Sequence, residues 1–327
     1  MRNFSYSRAT SIYDARKRAA QAGSMLLAGG TTLLDLAKCG VVEPEEVVDI
    51  SHLSELSQIS ADADGVTIGA LAKMEEVAKS PGIRANYPAI SQSLLLAASA
   101  QLRNMASIGG NLLQRTRCPY FRDPGAFSAC NKRNPGSGCS AIGGVTRNHA
   151  VLGTSDACIA SYPGDLATAL VALDATIDLG DRSVAAQDFF LLPGDTPERE
   201  TLLENGEMVI AIKVPASQLA RNSIYLKVRD RQSYEFAAAS AAVGLELETD
   251  GRTVRDIRVA LGGVAARPWR AKSVEQALIG KVLDVGAVEN ASRLAVEGAV
   301  AHGSNRYKIE LAPRVVARAI LSMGGLA

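Results

Sequence analysis

The sequence predicts an α+β protein built in two parts, and three observations carry that prediction. Short apolar runs alternate with amphipathic ones along the first part of the chain. Three strand-like runs followed by three helical runs close it. Between them, residues 115–160 are rich in Gly, Pro, Asn, Ser, Arg and Cys and show little apolar periodicity. Alternation of strand and helix indicates an α/β or α+β domain, and strands grouped before helices indicate a smaller α+β one.

Each element has its own signal. Ser11 and Asp14 form a capping-box-like pair before Ala15–Ala20, and Gly23 supplies a stop. Met25–Ala28 reads as a buried strand and Thr31–Lys38 as a helix closed by Gly40. Val47–Ile50 and Val66–Gly69 read as strands, Lys73–Lys79 and Ala89–Ala98 as helices. After the irregular stretch, Leu166, Ala167, Leu170, Val171 and Leu173 mark a helical apolar face starting at Asp165. A boundary falls in Pro215-Ala216-Ser217-Gln218, which divides the chain into 1–218 and 219–327. Beyond it, Ile224–Val228, Phe236–Leu247 and Val254–Leu261 are expected as strands. Lys272–Ile279, Val285–His302 and Tyr307–Met323 are expected as helices.

The chain has 327 residues, 47% of them hydrophobic and 21% charged, enough for a sizeable core. Lys+Arg total 35 and Asp+Glu 34, so the net charge of +1 gives no electrostatic case for nucleic acid or an anionic membrane surface. No apolar run has the length of a membrane span. The start, Met1-Arg2-Asn3-Phe4-Ser5-Tyr6, lacks the apolar core of a signal peptide, so no export signal of its own is expected. Cys39, alone before Gly40, is expected to be a small buried thiol.

Two glycine-centred turns stand out. The first is Leu26-Leu27-Ala28-Gly29-Gly30-Thr31-Thr32-Leu33 and the second Ser107-Ile108-Gly109-Gly110-Asn111. A strand ending in Gly-Gly and running into a helix presents free N–H groups and a partial positive charge, which suits phosphate. Glycine permits close backbone approach, and threonine hydroxyls add donors. The simpler reading is two tight turns with glycine in left-handed conformations. Neither turn fits the Rossmann or P-loop pattern.

Four further cysteines, Cys118, Cys130, Cys139 and Cys158, lie in or beside the irregular stretch, separated by 11, 8 and 18 residues. Soft thiolates in one loop suit zinc or an iron–sulfur cluster. Structural zinc favours closer cysteine pairs, and two disulfides remain open for an exported protein.

These turns and cysteines carry a resemblance. Ala-Gly-Gly-Thr-Thr-Leu at 28–33 and Arg-Asn-Met-Ala-Ser-Ile-Gly-Gly-Asn-Leu at 103–112 resemble the segments that hold the FAD pyrophosphate in medium subunits of the xanthine dehydrogenase/molybdenum hydroxylase family. Tyr225–Arg229, Leu261–Ala265 and Tyr307–Ile320 resemble that family's C-terminal flavoprotein domain, so the likeness spans nearly the whole chain. Asn111–Phe121 is most similar to the branch of periplasmic aldehyde oxidoreductases. The implied fold is the two-part FAD-binding domain of the vanillyl-alcohol oxidase/xanthine dehydrogenase medium-subunit type, followed by a three-stranded sheet with helices.

The resemblance also implies roles. Leu26, Leu27, Ala28, Gly29, Gly30, Thr31, Thr32 and Leu33, with Ser107, Gly109, Gly110 and Asn111, would line the FAD phosphates and ribose. Asp165 matches a polar FAD contact, although Gly164 stands where the family has serine. Ile210 and Lys227 match positions that approach the flavin ring. Cys118, Cys130, Cys139 and Cys158 match the branch's extra [4Fe-4S] cluster, with Arg115, Arg117, Lys132 and Arg133 as cationic neighbours. No substrate-oxidising residue is expected in this chain. The implied partners are a large molybdenum-cofactor subunit, a small [2Fe-2S] subunit and an external electron acceptor.

The rival readings are a freestanding FAD oxidase and a zinc-stabilised scaffold. His52, His149 and His302 are scattered and sit in no catalytic motif, so ordinary surface or core roles are expected for them. The compartment is expected to be the periplasm, reached on a partner's twin-arginine signal, or the cytoplasm.

Overall fold

The computed structural model describes residues 1–326, and its strands form three sheets. The first is small and parallel. It contains β1 (Ser5–Arg8), β2 (Ser24–Leu27) and β3 (Glu46–Asp49), with β3 central. Parallel neighbours need crossovers, and the helices Ile12–Ala19 and Leu33–Lys38 provide them. Ser11 caps the first helix by accepting from the Asp14 N–H, while the Asp14 carboxylate accepts from Thr10 N–H instead of closing a box on Ser11.

The second sheet is antiparallel, with β4 (Ile59–Ala61), β5 (Gly65–Gly69), β6 (Thr176–Asp178), β7 (Ser183–Ala185) and β8 (Ala211–Pro215) in the order β4-β5-β8-β6-β7. Everything between β5 and β6 is therefore one long excursion from this sheet. It holds the short helices up to Leu112, the irregular segment and the helix Asp165–Ala172.

The third sheet is also antiparallel. It contains β9 (Ser223–Val228), β10 (Ala239–Leu247), β11 (Val254–Gly262) and β12 (Trp269–Arg270), in the order β12-β11-β10-β9. Four strands replace the three expected, because a two-residue edge strand is too short to leave a period-2 pattern. A second correction concerns Val285–His302. The helix covers only Val285–Ser292 and tightens into a 3₁₀ turn at Arg293–Val296. The chain then turns away at Gly298, whose φ is +75°. The final helix, Tyr307–Met323, lays Val315, Val316, Ala319 and Ile320 against the third sheet.

The helix Asp165–Ala172 joins the two parts of the chain. All eight of its residues are buried, and it packs against β10 and β11 while sharing an apolar cluster with Ile68 and Ile212 of the second sheet. It thus carries Asp165 to the seam between them.

The irregular stretch folds as turns around one helical turn, Pro119–Arg122. Isolated bridges pair Cys130 with Cys139 and Ser155 with Cys158. Arg133 stitches the loop together by donating to the carbonyls of Tyr120 at 2.6 Å and Phe121 at 2.7 Å. Cys39 is exposed at the helix C-cap, contrary to the expected burial, because the helix buries Leu36 and Ala37 and leaves the cap position outside that contact. Among the described residues, no helix is long and apolar enough to cross a membrane.

Candidate functional site

The two glycine turns meet. Ala106 O accepts from Met74 N–H, Ile108 N–H donates to Ala72 O, and Gly109 N–H donates to Ala70 O, which fixes the second turn against the end of β5. The first turn then presses on the second so closely that a Cβ on Gly29 would stand 2.1 Å from Met105 O. A Cβ on Gly109 would stand 2.9 Å from that of Ala70. Glycine is needed at these two positions for backbone packing. Gly30 is needed for its φ of +72°. Ser107 caps the short helix Ile108–Leu112 by accepting from Gly110 N–H.

A cleft of about 410 Å³ opens beside this junction. Thr31, Thr32, Gly110, Asn111, Asp165 and Lys227 line it, so residues remote in sequence converge on one space. The Thr32 side chain makes no capping bond to its own helix. Asn111 Oδ1 is buried without a partner in the chain, and buried polar atoms normally have one. Free hydroxyls and adjoining helix starts suit the phosphates of a dinucleotide, and the unpaired amide oxygen suits a donor such as a ribose hydroxyl.

At one wall, Lys227 Nζ lies 2.8 Å from Asp165 Oδ2 and donates to Leu96 O at 3.1 Å. The Lys227 side chain is 0% exposed and that of Asp165 5%. Tyr225 OH donates to Asp165 Oδ1 at 2.5 Å. Burial raises the Asp165 pKa, and the Lys227 ammonium works against that rise. An ammonium has three N–H donors, so Lys227 keeps one for whatever fills the cleft. The position of a serine side chain at Gly164 is taken by the Tyr162 ring, since a Cβ there would lie 2.5 Å from Tyr162 Oη.

Not every expected residue reaches the cleft. Ile210 packs with Leu26 and Ala28 in the apolar cluster under the first turn and is not among the residues that line the cleft. Leu27 ends β2, and Leu33 opens the following helix. Arg117 does reach it, pairing with Asp35 at 3.2 Å and lying 4.9 Å from the centre of the Phe236 ring. Tyr234 and Phe236, on the loop between β9 and β10, also line the cleft. Phe236 was expected to open a strand, but the strand starts only at Ala239, and the β9–β10 pairing folds the loop with both aromatic residues over the cleft.

The four thiols of Cys118, Cys130, Cys139 and Cys158 line one small cavity. Burial pushes the Cys118 thiol up to about 12 and also raises that of Cys158, so both stay protonated until a cation displaces the proton. Backbone N–H groups of Phe121 and Tyr120 face the Cys118 sulfur, and Ala160 N–H lies 3.5 Å from the Cys158 sulfur. Such N–H···S contacts are the usual surroundings of metal-bound thiolates. Among the described residues, no three His, Cys, Asp or Glu side chains converge as ligands of one ion would.

The expected cations divide. Arg115 and Lys132 both pair with Glu200, at 2.6 and 2.8 Å. Arg133 binds loop carbonyls, and Arg117 belongs to the cleft. His149 is 3% exposed, with Nε2 3.2 Å from Cys118 Sγ. A further small cavity, lined by Cys118, His149, Arg117 and Phe236, lies between the thiols and the cleft.

Known proteins match this chain along nearly its whole length. Residues 2–217 match the family described as FAD binding domain in molybdopterin dehydrogenase, and residues 224–323 match CO dehydrogenase flavoprotein C-terminal domain. The chain is 44% identical over 285 residues to the aldehyde oxidoreductase FAD-binding subunit PaoB of Escherichia coli (strain K12), covering 85% of this chain and 86% of that protein. It is 30% identical over 292 residues to the glyceraldehyde dehydrogenase medium chain of Sulfolobus acidocaldarius, covering 88% and 85%. Among solved structures, carbon monoxide dehydrogenase from Hydrogenophaga pseudoflava aligns over 100% of this chain and 99% of the other, at 25% identity and a TM-score of 0.75.

Proposed function

The chain belongs to the FAD-binding medium subunits of the molybdenum hydroxylase family, and from that premise we propose that it is the electron-transferring subunit of an aldehyde oxidoreductase. Its partners in the complex are a large molybdenum-cofactor subunit, where the aldehyde is oxidised, and a small [2Fe-2S] subunit. The observation that carries the aldehyde is the 44% identity to an aldehyde oxidoreductase subunit along most of both chains.

Within this chain the work is binding and orientation. Bound FAD supplies the chemistry of accepting electrons singly and passing them on singly or in pairs. Thr31, Thr32 and the Ser107–Asn111 turn would hold its phosphates, and Asn111 Oδ1 would gain a donor. Lys227, fixed by Asp165 and Leu96, presents its remaining N–H to the cleft, where it favours negative charge. Asp165 keeps that ammonium in place and is itself held by Tyr225. Phe236 and Arg117, stacked with the guanidinium 4.9 Å from the ring centre, form one side of the cleft.

The proposal includes a [4Fe-4S] cluster on Cys118, Cys130, Cys139 and Cys158. The shared cavity and the N–H groups aimed at sulfur support it. For the compartment the proposal keeps both expectations, the periplasm reached on a partner's twin-arginine signal, or the cytoplasm, and cell fractionation of the assembled complex decides between them.

The test is the purified complex, co-expressed with its partners. The expected result is one FAD per copy of this chain, a brown absorbance shoulder above the flavin bands, iron and sulfide in excess of the partner's clusters, and aldehyde-dependent reduction of a dye. A complex that lacks flavin, or is reduced by no aldehyde, overturns the reading.

A further inference from the structure

Lys308 is a buried cation without a counter-ion. The residue is 1% exposed, its Nζ donates to Gly263 O at 2.6 Å, and among the described residues no carboxylate pairs with it. One of its three N–H groups is thereby used. Burying an unpaired ammonium is costly, so the fold must gain something from placing it there. Its surroundings point in one direction. Gly263, whose carbonyl holds the ammonium, lines the same cavity as Cys118 and His149.

His149 completes the link. Its Nε2 meets Cys118 Sγ at 3.2 Å, and its Nδ1 is buried without a partner. A metal-bound sulfur carries no proton, so in that state the imidazole Nε2–H must be the donor. The backbone holds this pair in place. His149 N–H donates to Thr146 O, Thr146 Oγ1 donates to His302 O at 2.5 Å, and Asn305 donates to Ala150 O at 2.9 Å. Those contacts bind the segment 146–150 to the start of the helix that carries Lys308.

We infer that His149 and Lys308 are positioning residues of the cysteine site: His149 holds the Cys118 sulfur through Nε2–H, and Lys308 balances the negative charge of the four-thiolate cluster. The inference rests on the cluster proposed above. Four thiolates leave such a cluster anionic, and each added electron makes it more so. A nearby fixed cation and an N–H···S bond both favour the reduced form. Lys308 in this role explains a buried charge that no carboxylate of the chain satisfies.

The experiment is a redox titration of the anaerobically purified complex, following the cluster by electron paramagnetic resonance, with iron and flavin counted in every sample. Lys308→Met is expected to keep FAD and iron yet favour the oxidised cluster about tenfold at a fixed potential, a shift of about 59 mV to lower potential for one electron. Lys308→Arg is expected to restore the wild-type value. Should Lys308→Met not fold, a pair at His149 decides. His149→Leu is expected to lower the potential and alter the resonance line shape, and His149→Gln, which keeps an N–H, to stay near wild type. Iron present in all variants with an unmoved potential overturns this inference and leaves the cluster intact. Iron missing from the wild-type chain overturns the cluster, and this inference with it.

Discussion

Lys227 and Asp165 form a buried ion pair, 2.8 Å from Nζ to Oδ2, across the seam between the third sheet and the helix Asp165–Ala172. Each residue alone would be expensive to bury. Together, with Tyr225 and the Leu96 carbonyl, they make a polar wall for the cleft that is almost fully satisfied. Removing one partner of such a pair costs about 3–5 kcal/mol, because the other charge is left buried and unpaired.

Lys227→Met should therefore destabilise the chain by roughly that amount and lower its FAD content. Adding Asp165→Asn to the same chain should recover much of the stability without recovering the flavin. Denaturant unfolding with flavin absorbance measures both. A single variant with wild-type stability and full flavin would show that the pair does neither job.

Gly29→Ala places a methyl group 2.1 Å from Met105 O, and backbone on both sides prevents escape. The two glycine turns must separate to admit it. Overpacking of this kind costs about 1–3 kcal/mol, and the cleft should lose its grip on FAD. Gel filtration that recovers the variant as yellow as wild type would contradict this account.

Serine at any one of Cys118, Cys130, Cys139 or Cys158 should remove the cluster iron while the FAD cleft, built from other residues, keeps its flavin. Turnover then decides what the cluster does. Full activity in an iron-depleted, flavin-loaded complex would mean a structural cluster. Activity lost in proportion to iron would mean a relay between the partner's centres and the outside acceptor.

In the cluster-free chain, burial lowers Lys308 from 10.5 to about 8, with Arg147 adding to the effect. Between those pH values the unfolded chain holds more protons on this residue than the folded chain does. Stability therefore rises with pH across that window, and the penalty is fully present below about pH 8. The shift corresponds to about 3 kcal/mol. The stability of wild type relative to Lys308→Met should climb by a comparable amount from pH 8 to pH 10.5, as urea unfolding at each pH would show. A constant difference would mean that Lys308 is charged and content where it lies.

Local rules made much of the chain legible. The strand before Gly29, the capped helix after Ser11, the apolar face from Asp165 and the final helix all follow from periods and caps spanning a few residues. The glycine turns and the four cysteines suggested a phosphate-binding junction and a metal-binding loop, and what the fold adds is that Thr31, Thr32, Gly110 and Asn111 line one cleft and the four thiols one small cavity.

Other features depend on contacts that no local pattern encodes. The two-residue strand β12 exists because β11 offers it an edge. The break after Ser292 and the exposure of Cys39 reflect which face the rest of the molecule covers. Ile210 lies under the first turn because β8 enters the sheet beside β5. Gly29 is glycine because another turn's backbone occupies the space of a side chain. His149, a lone histidine in sequence, gains its meaning from Cys118, 31 residues away, and Lys308 from a carbonyl 45 residues away. Spacing along the chain fixes which side chains share a helix or a strand. Only closure of the fold decides which charges meet, which lose their water, and which are left for a ligand to complete.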